Sequence, residues 1–277
     1  NLLGFPEIEE GTASYGQRLV SFFKDEPIVG GFIYSFFLML VGFLFDNIKK
    51  KNFFLIILTI VFFVSIFVTG ERANTIKACL GVFIFFIFLK DVNIKAKLAS
   101  IIIILISLTA VINKSEYFKL RYVYQIKSHL TVGESYYLHI YGSGLDVFKN
   151  YPLFGVGTKN YRFEACKNPN NHSEEKTKNY LCTTHPHQVY IEFLSEHGFV
   201  GTAILFFLLY KLIFSKIVIV VKYGNYLQLG SLIYLLNSFL PLIPTGAFFN
   251  DYMLTLFCIN LAILYSSNPN LNIFTKK

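Results

Sequence analysis

Seven apolar runs recur along the chain, at about residues 29–46, 52–70, 74–90, 97–113, 199–216, 226–244 and 250–266. Each is close to the roughly 17–25 residues that an apolar helix needs to cross a bilayer. Lipid offers backbone N–H and C=O groups no partner, so each run is predicted to be helical throughout. Between the fourth and fifth runs lies a mixed, polar stretch, residues 114–198. A connection of that length in a compact protein is usually functional. The pattern predicts an all-α, polytopic membrane protein. Residues 1–28 form a loop, 29–113 four spans, 114–198 a large outer loop with short helices, 199–266 three spans and 267–277 a tail.

Lysines orient the spans. Lys49, Lys50 and Lys51 follow the first run, and Lys90, Lys95 and Lys97 lie between the third and fourth. Lys211, Lys216 and Lys222 separate the fifth and sixth, and Lys276 and Lys277 close the chain. Alternating spans put all four sets on one face, which the positive-inside rule makes cytoplasmic. The long loop is basic too, but long loops translocate largely regardless of charge. Residues 1–28 carry no cleavable signal pattern, and earlier spans are expected before them.

Composition agrees and removes other classes. A chain with 54% hydrophobic and 15% charged residues is not a soluble globular protein. The net charge of +8 is spread along the sequence, with no dense basic block or nucleic-acid motif, so no nucleic-acid partner is expected. Cys79 and Cys258 fall within spans and read as small packing residues. Cys166 and Cys182 lie in the long loop, on the side where oxidation is possible. A bridge between them would stabilise the loop by about 3 kcal/mol; the alternative is two free thiols.

Three polar features of the outer face could carry chemistry. The first is His185-Pro186-His187, followed by Gln188-Val-Tyr-Ile-Glu192-Phe-Leu-Ser-Glu196-His197-Gly198. Proline suits a first helical turn and glycine a helix end, so a short amphipathic helix is predicted at the membrane surface. Its apolar face is Tyr190, Ile191 and Leu194, and its polar face Gln188, Glu192, Ser195 and Glu196. His187 in the first turn would feel the positive helix end, which favours the neutral imidazole a general base requires. The same residues also read as an ordinary surface histidine pair.

Glu71-Arg72 opens the third run. Arg72 reads equally as an interface anchor, a partner of Glu71, or a planar fork for phosphate. Third, Gly155 and Gly157 in Tyr151-Pro-Leu-Phe-Gly-Val-Gly-Thr-Lys-Asn-Tyr-Arg162 mark a tight turn. Such a pair is weak evidence for phosphate binding without a surrounding Walker or Rossmann pattern. Upstream, residues 135–150 read as an amphipathic helix with His139 and Tyr141 near its start. Cys166, Cys182, His185 and His187 are metal-ligand types, but their spacing matches no common zinc pattern.

Taken in order, these stretches resemble the O-antigen ligase and polymerase family. The resemblance rests on Arg72 at the start of a span, "DVFKNYPLFGVGTKNYR", and "HPHQVYIEFLSEHGFVG" before the next span. It extends to Asp25-Glu26-Pro-Ile-Val-Gly30-Gly31 with Arg18 upstream, and to "PLIPTGAFFND" before the last span. It implies a GT-C-like helical membrane glycosyltransferase of the bacterial inner membrane, working at the periplasmic face without metal or other cofactor. The donor would be a glycan on undecaprenyl diphosphate. A ligase passes it to lipid A-core, a polymerase to another lipid-linked repeat.

On that resemblance His187 matches the family's essential histidine and Arg72 one of its arginines, at the lipid diphosphate. Arg162, His139, Arg18, His185, Gly155 and Gly157 become substrate-binding positions. The sequence departs from the family where a second arginine is usual: that place reads Tyr137-Leu-His139-Ile-Tyr141. His139, Arg121 or Arg162 is left to supply the charge. A transporter is the contrasting class, and it would carry ionisable groups mid-span, in broken and repeated helices. The runs read as nearly free of such groups, and no repeat is evident.

Overall fold

A computed structural model describes residues 19, 23, 28–47, 51–90, 92–127, 136–167, 182–267 and 271. The protein is all-helical, with no strand among the described residues. Helices run in the order α1 Val29–Asn47, α2 Lys51–Val68, α3 Arg72–Phe88, α4 Ile94–Lys114 and α5 Glu116–Lys119, which continues into a π-helical turn, Leu120–Tyr124. After these come α6 Tyr136–Asn150, α7 Tyr161–Lys167, α8 Val189–Leu212, α9 Ile217–Tyr223, α10 Tyr226–Asn237 and α11 Asp251–Ser266. Among the described residues, three helical stretches are long and apolar enough to cross a membrane: Val29–Asn47, Ile94–Lys114 and Val189–Tyr223. Ile57–Val68 and Asp251–Ser266 are shorter apolar helices.

The chain divides into two compact units. One holds residues 1–131, 218–237 and 259–277, the other 132–217 and 238–258. The first is a helical bundle. Gly230 of α10 lies so close to α1 that a Cβ there would stand 2.2 Å from the Leu38 carbonyl oxygen, the close approach that small residues permit between membrane helices. Polar side chains close the helix ends. Asp46 accepts from the first N–H groups of α10, at Tyr226 and Leu227. Lys97 donates to the last carbonyls of α3, at Phe86 and Leu89. Each charge sits at the helix terminus of opposite sign.

One sequence expectation needs correction in the bundle. The sixth run, expected to be helical over 226–244, is helical only over Tyr226–Asn237. Pro241 has no N–H to donate, and its ring would collide with the carbonyl four residues back, which is that of Asn237. The spans also carry a buried ionisable group, Lys77 of α3, 5% exposed. Its backbone carbonyl accepts from Asn237 Nδ2, which also donates to Tyr34 Oη.

The second unit is built on the first half of α8. Gly198 interrupts that helix with φ 62° and ψ −169°. The turn 152–157 docks there through four backbone hydrogen bonds: Val156 N–H to Ser195 O, Gly157 N–H to Glu196 O, Phe199 N–H to Pro152 O and Val200 N–H to Leu153 O. Both glycines at the crossing are required. A Cβ on Gly155 would lie 2.4 Å from the Glu196 carbonyl carbon, and one on Gly198 would lie 2.4 Å from Leu153 carbonyl atoms. Both have positive φ as well.

Candidate functional site

The helix after the two histidines starts later than its proline suggests. Gln188 is the N-cap of α8, and its side chain accepts from Tyr190 N and Ile191 N. His187 therefore precedes the helix rather than sitting in its first turn. Its φ is 53°, in the left-handed region that a side chain with a Cβ disfavours. Thr245 holds it there: the Thr245 N–H donates to His187 O at 2.8 Å. A non-glycine residue held in this way is a recurrent mark of functional sites.

The carbonyl of Thr245 orders both imidazoles. It lies 3.4 Å from His187 Nδ1 and 3.3 Å from His185 Nε2. A carbonyl oxygen only accepts, so each ring must offer it an N–H. For neutral rings this makes His187 the Nδ1–H tautomer, with its lone pair on Nε2. It makes His185 the Nε2–H tautomer, whose Nδ1 accepts from Thr184 Oγ1 at 3.0 Å. The two rings are 4.0 Å apart between centroids, and the Tyr137 ring stands edge-on to His187 at 5.8 Å. Burial, aided by His187 and Arg162, holds His185 down to about 4, against the pull of the Thr245 carbonyl. His185 is thus a neutral neighbour at physiological pH.

Arg162 lies on α7, near enough to act electrostatically on both His185 and Glu196. Its Nε is buried without a hydrogen-bond partner. Tyr141 Oη and Thr245 Oγ1 are in the same condition. Burial, with Tyr137 beside it, pushes the Tyr141 phenol up to about 12, so it stays protonated. Such groups are costly to leave dry and unpaired, and they are what a bound polar substrate would satisfy.

The polar face of the helix is its buried face. Gln188, Glu192, Ser195 and Glu196 are all at most 5% exposed, where the sequence pattern suggests a solvated surface. Glu192 accepts from the Phe248 N–H through both carboxylate oxygens, at 2.9 and 3.0 Å. Glu196 accepts from the N–H groups of Lys159 and Tyr161. One turn apart, the two carboxylates pin two loops: 238–250, which brings Thr245, and 151–161, which leads to Arg162. Sequence reasoning missed Glu192, Glu196 and Thr245 in these roles. The available signal was two Glu four apart, next to Pro/Gly-rich loops with unpaired N–H groups.

The other expected positions are distributed as follows. Gly155 spends its missing side chain on the Glu196 backbone, and Gly157 has φ 91° in the same turn. His139 is exposed on α6. Cys166 and Cys182 form a disulfide, with Cα atoms 4.8 Å apart, which removes both as zinc ligands. No group of three His, Cys, Asp or Glu able to hold a metal occurs among the described residues. Arg18, Asp25 and Glu26 lie outside the described residues.

Arg72 belongs to the bundle, where it is half-buried as the first residue of α3. Glu71, its N-terminal neighbour, accepts from the N–H groups of Gly30 and Gly31 at the start of α1 and from Asn74 Nδ2. Arg121, in the π-helical turn, donates from Nε to the Gly70 carbonyl at 2.9 Å. The backbone leading into Arg72 is thereby held by α1 and by the π-helical turn together.

Apolar helices of membrane-crossing length define a helical membrane protein. The family model for O-antigen ligase matches residues 57–206, and the chain belongs to that family. A comparison with curated proteins gives no match.

Proposed function

We propose that this protein is a metal-independent, inverting glycosyltransferase that moves a glycan from undecaprenyl diphosphate to lipid A-core. The observation that carries this reading is His187: a left-handed residue whose ring Nδ1 faces a fixed carbonyl, with the buried, unpartnered Arg162 Nε, Tyr141 Oη and Thr245 Oγ1 in the same unit. In the proposed reaction, Nε2 of His187 takes the proton of the acceptor hydroxyl. That oxygen attacks the anomeric carbon as the bond to the diphosphate breaks, so configuration inverts in a single displacement. Arg162 stabilises the charge that develops on the departing diphosphate, which asks for cationic donors more than for covalent chemistry; Arg72 is a candidate for the same role on the family resemblance alone. Arg18, His139, His185, Gly155 and Gly157 complete the substrate contacts in this reading. The site faces the periplasm of a bacterial inner membrane, the orientation that the lysine clusters favour.

The test is glycan transfer from an undecaprenyl-diphosphate donor in EDTA, wild type against His187→Ala. The expected result is transfer by the wild type and a loss of about 100- to 10,000-fold in the variant. Normal transfer by a folded His187→Ala protein would overturn the base assignment, and loss of wild-type activity in EDTA would overturn metal independence. The acceptor consumed decides the acceptor class. Consumption of a second lipid-linked repeat instead of lipid A-core would make the protein a polymerase.

A further inference from the structure

The turn that docks on Gly198 has an outward face that the proposed chemistry does not use. Leu153 is 60% exposed and Phe154 72%, and Phe199, hydrogen-bonded to Pro152, is 65% exposed. Isolated exposed apolar residues are ordinary, but adjoining large ones mark an interaction surface. Four observations identify what covers this one.

The patch is continuous with an apolar surface already assigned to lipid. Phe199 opens the apolar run 199–216, within the stretch Val189–Tyr223 that is long and apolar enough to cross a membrane, and that run exposes Ile204, Phe207 and Leu208 further along. The tip is also apolar only at its end. Lys149 and Asn150 precede it, Thr158, Lys159 and Asn160 follow it, and all five are exposed.

Next, two carbonyls of the tip are satisfied from within the protein. Irregular backbone enters lipid only when its polar groups are satisfied by protein. The Pro152 and Leu153 carbonyls accept from Phe199 and Val200, and Pro152 has no N–H. Finally, the partnership is reciprocal. The break at Gly198 leaves Phe199 and Val200 at the start of a new helical segment, where N–H groups lack an intrahelical acceptor. The tip supplies those acceptors where the apolar run begins.

We propose that Leu153 and Phe154, with Phe199, insert into the acyl-chain region of the leaflet on the side of the long loop. The tip is a membrane-dipping element that fixes the second unit against the bilayer. Because the same turn runs on to Gly157 and the N–H groups that hold Glu196, the bilayer also supports the loop that carries Arg162.

The experiment uses the absence of tryptophan from this 277-residue sequence. Single-Trp variants Phe154→Trp, Lys149→Trp and Phe207→Trp of the membrane protein are reconstituted into phosphatidylethanolamine/phosphatidylglycerol vesicles, with or without lipids brominated on their acyl chains. Quenching of Phe207→Trp reports correct insertion. The expected result is short-wavelength emission from Phe154→Trp, strongly quenched by the brominated chains, and long-wavelength, weakly quenched emission from Lys149→Trp. Water-like, unquenched emission at position 154 in a preparation where position 207 is quenched would overturn the proposal. Short-wavelength emission insensitive to bromine would also overturn it, because protein rather than lipid would then cover the tip. Leu153→Ser in the Phe154→Trp background gives a second measure, with weaker quenching expected.

Discussion

The two units treat irregular backbone in opposite ways. In the bundle, polar side chains sit at helix ends: Asp46 at the start of α10, Lys97 at the end of α3, Glu71 at the start of α1. In the second unit, polar side chains come from within a helix and hold loops, as Glu192 and Glu196 do. The backbone differs too. Lys159, His187 and Leu242, the non-glycine residues with positive φ among those described, all belong to the second unit. The buried polar atoms without partners differ in kind. Among the described residues of the bundle they include Gln228 Oε1 and Ser231 Oγ, both neutral, and the Gln228 amide donates elsewhere through its nitrogen. In the second unit they include a guanidinium nitrogen, a phenol and an imidazole nitrogen. Strained non-glycine backbone and unpartnered groups of these kinds are what a bound ligand would relieve.

That contrast can be broken most sharply where the turn 152–157 crosses α8 at Gly198. Gly155→Ala places a Cβ 2.4 Å from the Glu196 carbonyl carbon at φ 67°. Overpacking of this kind costs about 1–3 kcal/mol, and thermal unfolding in detergent should show a clear fall in midpoint together with reduced transfer. An unchanged midpoint would mean that the turn is not seated on Gly198.

Glu192 and Asp46 compare a loop-pinning carboxylate with a helix cap. Glu192→Ala leaves the buried Phe248 N–H without its acceptor, a loss of about 1–3 kcal/mol. It should also reduce transfer, because the loop carries Thr245. Asp46→Ala removes an exposed cap worth about 1 kcal/mol and should leave transfer unchanged. Equal effects of the two on activity would erase the distinction between the units.

The pH dependence of stability sharpens it further. His185 sits at about 4 in the folded protein against 6.5 ordinarily, so the unfolded chain takes up its proton first as pH falls. Stability from this group is fully present above 6.5 and is lost as pH falls from 6.5 through about 4. Unfolding followed across that window should be more pH-dependent for wild type than for His185→Gln; identical slopes would contradict the buried neutral ring.

The smallest effect is expected in the bundle. Ser231→Ala deletes a buried hydroxyl that has no partner, and stability should change by less than about 0.5 kcal/mol, or rise. A loss of transfer in this variant, with stability unchanged, would show that the bundle too holds an unpartnered group for function.

Much of the architecture is legible in one dimension. Runs of Phe, Ile and Leu have to be helical in lipid because no other partner for the backbone is available. α1, α2, α3, α4 and α11 follow the apolar runs closely, as α6 follows the pattern over 135–150. The early end of α10 was legible too, since Pro241 lies inside the sixth run; length and hydropathy alone pass over it. The turn at Gly155 and Gly157 also announces itself by composition.

What the sequence could not decide is which polar residues face water. Glu192 and Glu196 at helical spacing describe a solvated stripe as well as a buried one, and periodicity alone does not separate the two. The tertiary structure chose burial, because loops 151–161 and 238–250 bring N–H groups that solvate the carboxylates in place of water. The conformation of His187 was decided in the same way. His187 is left-handed where its backbone carbonyl accepts from Thr245, 58 residues along the chain. Helices and their order are written locally; the strained, buried polar site exists only where distant segments meet.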